Sequence, residues 1–535
     1  MMKATKISLL LTLFVVGVLG CVAGCNDVKP AAEARPVLTD TSNGTNDSSA
    51  VSSAVENAEA NADSQSPPKM RMSTTIPPGI TTPDSVETRL GTLKFTDGFP
   101  DDATITKVLD NLDFQRGVQT VLTCIPAASL HAMREGLRTF GPDNTSAVIF
   151  EELMDSRALF LTANTDSIYC MLWLDVKMGP MVIETPPNVL GIVDDAWFHY
   201  VADFGNAGPD KGQGGKFLIL PPGYEGDVPE GYHVARTRTF GNWVIWRGFQ
   251  VDGDPKPAVE ATKRLFRVYP LASKDNPPEM TFSNASGVPF NTLHAMDYTF
   301  FEEVNAVVQY EPADSIDPET LGALASIGIQ KGKPFAPDAR MKKILAEAAN
   351  VGTATARALT FRHPDKIQRY YRDSAWGTSF VGGSYEFLDN GARRLNARTF
   401  MLFYATGITP AMARKIVGKG AQYALAFVDS NDERLDGGKS YHLHLPPNIP
   451  AKDFWSIVVY DNQTRSMLQT DQQFPSLGSQ KKGVVINSDT SVDIYFGPEA
   501  PKGKENNWIQ TVPGKGWKAV LRLYGPPEPW YDITW

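Results

Sequence analysis

The sequence predicts a mainly β protein with α-helices, in which two antiparallel β-sandwich or jelly-roll-like domains are joined by a helical segment. Two stretches of short apolar and aromatic runs, separated by Gly, Pro, Asn and Asp, predict the two β-domains. Apolar residues at helical spacing between these stretches predict the joining segment. At 535 residues the chain exceeds what one hydrophobic core usually supports, so we expect more than one domain.

Residues 1–25 resemble a bacterial lipoprotein signal peptide. Lysines precede an apolar run over 7–19, which is too short to span a membrane as a helix. Cys21 and Cys25 each end a stretch similar to the lipobox, in which the cysteine is lipidated, and we favour Cys25 because the polar region begins directly after it. This predicts an exported lipoprotein anchored in a membrane of the bacterial cell envelope, on its periplasmic or surface side. An ordinary cleaved signal peptide is the alternative.

Composition and charge constrain the part of the chain after the signal peptide. Residues 26–85 are rich in Ala, Ser, Asn, Asp and Pro and cannot bury enough apolar surface to offset their ordering entropy, so they predict a disordered tether. The formal net charge of −9 leaves no basic surface for a phosphate backbone, which argues against a nucleic-acid partner. Cys124 and Cys170 remain in the folded part, where they form either one disulfide or two separate buried thiols.

Residues 86–270 predict an N-terminal β-rich domain with leading helices. Helical spacing predicts helices over 104–116 and 118–138, the second kinked or divided by Pro126. A further helix is predicted over 256–268. The strands of this domain are predicted at 158–163, 167–175, 181–184, 197–203, 216–220, 232–239 and 243–250.

Residues 271–420 predict a largely helical connector, and residues 421–535 predict a C-terminal jelly-roll-like β-domain. Helices of the connector are predicted over 297–309, 317–326 and 338–360. The connector either bridges the two β-domains or builds an interface in a homo-oligomer. The C-terminal strands are predicted at 423–429, 440–445, 454–460, 484–487, 491–496 and 517–524.

Several motifs, in a specific order along the chain, carry a family resemblance. They are LTANTDSIYC (161–170), GGKFLILPPGY (214–224), GIQKGKPFAPD (328–338), LPPNIPAKDFWSIVVYD (445–461), NNWIQTVPG (506–514) and LRLYGPPEPWYD (521–532). The first two resemble the bacterial domain-of-unknown-function family 1254, the third resembles the segment that joins the domains, and the last three resemble family 1214. The resemblance covers roughly residues 90 to 535. It implies an architecture, but no activity is established for the family.

His442 and His444 are the sharpest local signal for a metal site. Side chains two apart in a strand point to the same face, so both imidazoles can reach one divalent metal ion. A third protein ligand is then needed, and Asp461, Asp493 or His199 would have to supply it. The structural alternative places the histidine pair on a polar or partly buried sheet face without a metal.

A polar turn between two predicted strands is the first candidate for ligand binding. Asp166 would act as a general base or as an anchor for a ligand, which Asn164 and Tyr169 would orient. An Asx-type turn, in which Asn164 or Asp166 bonds its own backbone, is the equally weighted alternative. We expect this turn at the mouth of a pocket between the β-domains.

A glycine-rich loop and the aromatic side chains of the last domain complete the candidates. Asp210 or Asp203, paired with another carboxylate, would give the acid and base of a hydrolase, and Lys216 ends the loop. A long hairpin loop is the structural alternative. Trp455 and Tyr460 would stack on a sugar or other flat ligand, or would fill the core.

These features predict an exported lipoprotein that binds a small molecule or glycan in a pocket associated with its β-domains. The alternative is an extracytoplasmic hydrolase, which would use either an Asp-centred acid/base pair or a metal held by His442 and His444.

Overall fold

The computed structural model describes residues 70–363, 369–371 and 373–535. The chain divides into two compact units, Met1–Thr81 and Thr82–Trp535. In the described part of the first unit, Pro78–Ile80 forms one turn of 3-10 helix. The predicted signal peptide, the predicted lipidation site Cys25 and the predicted tether as far as residue 69 lie outside the described residues. Within the described ranges, no helix combines the length and the apolar character needed to cross a membrane.

The second unit begins with a small antiparallel sheet and a long helix. Its first strands are β1 (Ser85–Thr88), β2 (Gly91–Thr96) and β3 (Phe99–Pro100). The carboxylate of Asp101 then accepts a hydrogen bond from the backbone N–H of Thr104 and caps α1 (Asp102–Arg138). The sequence predicts two helices here, but α1 runs unbroken through Pro126. Residues 124–130 are all buried, so tertiary packing outweighs the hydrogen bond that proline cannot make.

The N-terminal β-region follows α1. Its elements are β4 (Ser146–Ile149), β5 (Ala158–Leu159), β6 (Ser167–Asp175), β7 (Met181–Thr185), β8 (Val189–Asp195), β9 (Tyr200–Gly205), β10 (Gly215–Leu220), β11 (His233–Arg236), β12 (Gly241–Phe249), α2 (Lys256–Leu265), β13 (Arg267–Pro270), β14 (Thr281–Asn284) and β15 (Phe290–Asn291). Strands β14-β4-β6-β12-β8-β9 form a six-stranded sheet, and β11-β10-β7-β13 form a four-stranded sheet. The two sheets share a core, in which Trp246 of β12 stacks on Phe266 with ring centroids 3.8 Å apart.

The helical segment comes next, and α5 packs against α1. Its elements are α3 (Thr299–Tyr310), α4 (Pro318–Ser326), α5 (Ala339–Phe361), β16 (Leu388–Asp389), β17 (Ala392–Arg393), α6 (Leu395–Tyr404) and α7 (Pro410–Ala413). A Cβ atom on Gly117 of α1 would lie 2.7 Å from the Cβ of Ala348, and one on Gly352 would lie 2.7 Å from the Cβ of Val121. Glycine at both positions therefore allows the two helices to approach this closely.

The C-terminal β-region contains two further sheets. Its elements are β18 (Ala421–Ala426), β19 (Tyr441–Leu445), β20 (Phe454–Asp461), β21 (Ser476–Gly478), β22 (Val492–Gly497), β23 (Trp508–Gln510), β24 (Trp517–Tyr524) and α8 (Glu528–Tyr531). Strands β18-β24-β20-β21 and β19-β22-β23 form the two sheets and enclose a core between them. No strand forms at 484–487, because the side chain of Asn507 bonds both the N–H and the C=O of Val485.

The described fold is mixed α/β, with 26% helix and 28% strand, so helices have a larger share than the sequence predicts. The strands form open sheets, and none of the described sheets closes into a barrel. The pairing is also not purely antiparallel, since β10 with β11, β4 with β14, and β22 with β23 run parallel. Long connections separate these strands along the chain, which is the condition for parallel pairing.

A central core joins the two β-regions through the helices. It contains side chains from α1, α5 and α6, from the outer face of the six-stranded sheet and from the face of β20 and β24 that points away from the C-terminal core. The β-regions thus face each other across a shared interior, and this arrangement leaves a cavity between them.

Candidate functional site

A cavity of about 90 Å³ lies inside the second unit, between the two β-regions. Its apolar wall comprises Phe160, Leu161, Leu190, Ile192, Trp243, Ile245, Met401, Met412, Leu425 and Val520. Its polar wall includes Thr162, Tyr169, Asp203, Arg247, Ser379, Tyr404, Thr406, Thr409, Tyr423 and Arg522. A mostly apolar wall with a few polar groups is typical of a small-molecule site.

One wall of the cavity is the outer face of the six-stranded sheet. Side chains two apart in a strand share a face, so Trp243, Ile245 and Arg247 of β12 all line the cavity. The register pairs Arg247 with Tyr169 of β6 on one side and with Leu190 of β8 on the other. Strand pairing therefore fixes the guanidinium of Arg247 beside a tyrosine ring.

The opposite wall comes from the C-terminal sheet and from α6. In β24, Val520 and Arg522 face the cavity, and the ladder pairs Arg522 with Tyr423 of β18 and with Ser456 of β20. Residues on the alternate positions of β24 face the C-terminal core instead. The cavity is complete only because both β-regions contribute side chains.

Arg522 is almost fully buried, with 1% of its surface exposed. Its Nη2 donates to the carbonyl oxygen of Thr162 at 2.6 Å and to the hydroxyl of Tyr460 at 2.7 Å. Its Nη1 is buried and has no hydrogen-bond partner among the described residues. Within the described ranges, Arg522 makes no ion pair at 4 Å or less with a carboxylate, and its guanidinium stays charged because arginine is not deprotonated in proteins.

Arg247 is surrounded by protein but keeps some accessible surface, as expected for a side chain that faces an internal cavity. Its Nη1 lies 3.3 Å from the hydroxyl of Tyr524, and its guanidinium carbon lies 5.8 Å from the ring centroids of both Tyr169 and Tyr524. Within the described part of the chain, Arg247 likewise forms no ion pair with a carboxylate. Tyrosine rings, instead of an acidic side chain, surround this cation.

The predicted polar turn packs directly behind the cavity wall. Oδ1 of Asn164 accepts hydrogen bonds from the N–H groups of Asp166 and Ser167, so the Asx-type turn is present. Nδ2 of Asn164 also donates to the hydroxyl of Tyr524 at 2.6 Å, which links the turn to the C-terminal region. Of the predicted binding residues in this turn, Tyr169 lines the cavity, whereas Asn164 and Asp166 support it from behind.

The carboxylate of Asp166 interacts electrostatically with the guanidinium of Arg522. Its side chain is buried, and burial raises its pKa to about 6, although the positive charge of Arg522 opposes this rise. Asp166 is therefore mostly ionised at pH 7 and partly offsets the positive charge of this end of the cavity.

Asp203 lies at the other end of the cavity. Both its carboxylate oxygens accept hydrogen bonds from the hydroxyl of Thr409, at 2.7 and 2.8 Å. Burial raises the pKa of Asp203 to about 6. The ladder places Asp203 two strands and two residues away from Arg247, so their Cα atoms are roughly 12 Å apart. The cavity thus has a cationic end and a carboxyl end.

The histidine pair lies on the surface, away from the cavity. Both His442 and His444 are about half exposed, and both bond the same oxygen of Asp493, at 2.9 and 2.8 Å. These hydrogen bonds hold the pKa of Asp493 well below its usual value. No group of three or more His, Cys, Asp or Glu side chains in the described ranges is arranged to hold a metal ion. The two imidazoles therefore lie on an exposed, polar face of the sheet beside Asp493.

Neither Asp461 nor His199 completes the histidine pair. The carboxylate of Asp461 is buried, accepts hydrogen bonds from the N–H groups of Gln463 and Thr464, and pairs with Lys515. The ring of His199 pairs with Asp195. Of the third ligands that the sequence offered, only Asp493 contacts the histidines, because it faces them across the pairing of β19 with β22.

The remaining predicted binding residues have structural contacts. Asp210 accepts a hydrogen bond from the N–H of Gly205 and closes its loop, while Lys216 pairs with Glu184 at the protein surface. Trp455 is on the face of β20 that fills the C-terminal core. Tyr460 is on the opposite face, and its hydroxyl supports Arg522 from behind the cavity wall.

The two cysteines are separate buried thiols, which is the second of the alternatives that the sequence left open. Burial raises the pKa of the Cys124 thiol to about 12, so this thiol is protonated and unreactive at neutral pH.

Neither Arg247 nor Arg522 is among the candidate site residues that the sequence analysis named, although Arg522 lies within the motif LRLYGPPEPWYD. Each interrupts an otherwise apolar or aromatic run within its strand, in WVIWRGF (243–249) and AVLRLY (519–524). An arginine at an inward position of a buried strand is uncommon, and this was the available signal.

Comparisons with known families cover the two β-regions. Residues 145–270 match the family model described as a protein of unknown function (DUF1254), and residues 420–528 match that described as a protein of unknown function (DUF1214). These matches confirm the resemblance and its order along the chain.

Solved structures include proteins similar to this chain. The VPA0106 protein from Vibrio parahaemolyticus has 21% identity and a TM-score of 0.48, over 78% of this chain and 96% of that protein. A protein from Burkholderia cenocepacia has 11% identity and a TM-score of 0.33, over 80% of this chain and 95% of that protein. The search of curated proteins found no match.

Proposed function

Since both family regions contribute walls to one cavity, we propose that this protein binds a small molecule there. The observation that supports this proposal most strongly is the mostly apolar cavity between the β-regions, with arginine, tyrosine and carboxyl groups at defined places in its wall. In this proposal each β-region is a two-layered sandwich, and the sheet faces turned toward the helices supply the site.

The size of the cavity favours a small molecule over a glycan. Its volume of about 90 Å³ is below the roughly 300–1,000 Å³ of sites for drug-sized ligands. Trp455, which the sequence offered as a platform for a sugar ring, fills the C-terminal core instead. The ligand that fits is therefore compact, with a largely apolar body.

The setting that we propose for this binding is the bacterial cell envelope, with the protein anchored through a lipidated Cys25. The motif around Cys25 and the short apolar run before it support this proposal. Cys25→Ser should move the protein from the membrane fraction to the soluble fraction and stop incorporation of labelled palmitate, whereas Cys21→Ser should change neither. Labelled Cys25→Ser protein that stays in the membrane would overturn the assignment.

A cavity-filling variant tests the binding proposal. A library of compounds of up to about ten non-hydrogen atoms would be screened against the protein by ligand-observed NMR. Thr406 lines the cavity and is partly exposed, so Thr406→Phe should fill the cavity with little loss of stability. Thr145→Phe is the matched control, since Thr145 is also partly exposed but lies outside the cavity.

Binding of library compounds by the wild type and by Thr145→Phe, with loss in Thr406→Phe, would support the proposal. If no compound binds the wild type, or if Thr406→Phe binds as the wild type does, the proposed function is wrong.

A hydrolase is the second candidate, and Asp203 is the observation that favours it. A carboxyl group in the cavity wall with a pKa near 6 can take up or release a proton near neutral pH. If the protein turns over small carboxylic esters, Asp203→Asn should lower kcat by about 100-fold or more while ligand binding is retained. Equal turnover by wild type and Asp203→Asn would exclude this role.

A further inference from the structure

We propose that the ligand of this cavity is a small apolar monocarboxylate whose carboxylate group is held by Arg247 and Arg522. This inference rests on the proposed function and deepens it by assigning the chemical class of the ligand.

The guanidinium of Arg247 has unused hydrogen-bonding capacity. It carries five N–H donors, more than are used by its hydrogen bonds to the hydroxyl of Tyr524, 3.3 Å from Nη1, and to the side chain of Tyr423. The side chain lines the cavity and keeps accessible surface there. A planar carboxylate matches the paired donors of such a guanidinium.

Arg522 adds a second unsatisfied donor at the same end of the cavity. Its Nη2 is occupied by Thr162 and Tyr460, which fixes the side chain, while the buried Nη1 has no partner among the described residues. Buried polar groups in folded proteins nearly always have partners, so an unpaired donor at a cavity wall points to a group that the folded chain itself does not provide. Tyr169, Tyr423 and Tyr524 lie near both arginines, so the two cations face a common environment.

The arginine end of the cavity has a net positive charge that one negative charge on a ligand would neutralise. Arg247 and Arg522 each carry one positive charge, and Asp166, close enough to Arg522 to interact with it, offsets one of them at pH 7. The neighbouring tyrosines are neutral, since burial raises the pKa of Tyr524 and Tyr460 further above its ordinary value. One positive charge remains, and a monocarboxylate balances it, whereas a phosphate dianion would bring one negative charge too many.

The rest of the cavity wall specifies the body of the ligand. Between the arginines and Asp203 the wall is formed by Ile192, Trp243 and Ile245 from the sheet and by Met401 and Leu425 from the opposite side. A hydrocarbon or aromatic body fits this surface. The distance of roughly 12 Å between the Cα atoms of Arg247 and Asp203 also keeps the carboxylate of the ligand away from the acidic end.

The experiment compares charged and neutral ligands of the same shape. Butyrate and benzoate would be titrated against the full protein by NMR and calorimetry, beside butyramide and benzamide. We expect at least one carboxylate to bind ten-fold or more tightly than its amide. Arg247→Met, which keeps the length of the side chain, should remove this preference while the amide binds as before. Arg264→Met is the control, because Arg264 is exposed on α2 outside the cavity.

The outcomes separate this inference from the proposed function. Equal affinity for carboxylates and amides, or a preference for carboxylates that survives in Arg247→Met, would overturn the inference while Thr406→Phe still tests the cavity. Binding of neutral library compounds without binding of either carboxylate would also overturn it and would leave the proposed function standing. If no compound of any kind binds, the proposed function fails and the inference fails with it.

Discussion

Two clusters of ionisable side chains, the exposed histidine pair on β19 and the arginine pair that lines the cavity, have opposite surroundings. His442 and His444 share one partner, Asp493, and are about half exposed to water. Arg247 and Arg522 have no carboxylate in ion-pair contact within the described ranges, although both lie in the interior. Water screens and solvates the first cluster, while the second must be balanced by protein groups or by a ligand. Unbalanced charge in the interior is therefore the better indicator of function here.

The largest expected effect concerns Arg522, because it combines burial with several hydrogen bonds. Arg522→Met should lower the free energy of unfolding by about 3–5 kcal/mol, since Asp166 loses its cation and the hydroxyl of Tyr460 and the carbonyl of Thr162 lose a donor. Urea unfolding measures this change, with the exposed Arg264→Met expected within about 0.5 kcal/mol of wild type. A loss below about 1 kcal/mol for Arg522→Met would show that the buried cluster is as weakly coupled as the surface cluster.

The pH dependence of stability isolates Asp166. Burial raises its pKa to about 6 in the folded state, whereas an unfolded chain has about 3.9. Between these values the folded state binds more protons than the unfolded state, so the free energy of unfolding falls as the pH rises from about 4 to about 7. The difference corresponds to about 3 kcal/mol.

Asp166→Asn cannot ionise at this position, so its fall in stability should be smaller by the share that Asp166 contributes, while Asp203, whose pKa is also raised to about 6, keeps its own share. Chemical unfolding at several pH values would compare the two proteins. Stability profiles of wild type and Asp166→Asn that stay parallel across this pH range would show that Asp166 is not desolvated in the way the structure indicates.

Tyr524→Phe tests the link between the two β-regions at the cationic end of the cavity. The hydroxyl of Tyr524 accepts hydrogen bonds from the fully buried Asn164 and from Arg247. Its removal leaves the buried Nδ2 of Asn164 without an acceptor, and we expect a loss of about 2 kcal/mol in unfolding free energy. An unchanged melting temperature would mean that this contact does not couple the regions.

The smallest effects are expected at the exposed cluster. His442→Ala and His444→Ala should each change the free energy of unfolding by less than about 1 kcal/mol, because exposed ion pairs contribute little. Elemental analysis of the purified proteins should show the same transition-metal content in wild type and in both variants. Stoichiometric metal in wild type that is lost in His444→Ala would restore the metal site and reverse the ranking of the two clusters.

Local signals in the sequence were sufficient for most elements of the fold. Strands such as β6 and β24 coincide with the apolar and aromatic runs at 167–175 and 517–524. Asp317 caps α4 as its position before Pro318 indicates. Where the prediction was wrong, contacts from distant parts of the chain determine the local structure. Burial of the residues around Pro126 keeps α1 continuous, and at 484–487 the side chain of Asn507 takes the backbone hydrogen bonds of Val485.

The candidate site was less accessible to sequence reasoning. The turn at Asn164 and Asp166 makes two kinds of structural contact, because Asn164 closes the turn with its side-chain carbonyl and reaches Tyr524 with its amide. Because side chains alternate along β20, Trp455 and Tyr460 must point to opposite faces of the sheet, but the sequence does not tell which face packs against the C-terminal core. The structure assigns Trp455 to the C-terminal core and Tyr460 to the support of Arg522.

By itself the sequence determined the family resemblance, the positions of most strands and helices and the prediction of an exported lipoprotein, because these depend on residues close together in the chain. Only the tertiary structure decided that Arg247 and Arg522, 275 residues apart in numbering, line one cavity, and that His442 and His444 meet Asp493 at the surface. The physical reason is that burial determines how much free energy a charge costs and whether it needs a partner. Burial in turn depends on how sheets distant in sequence pack together.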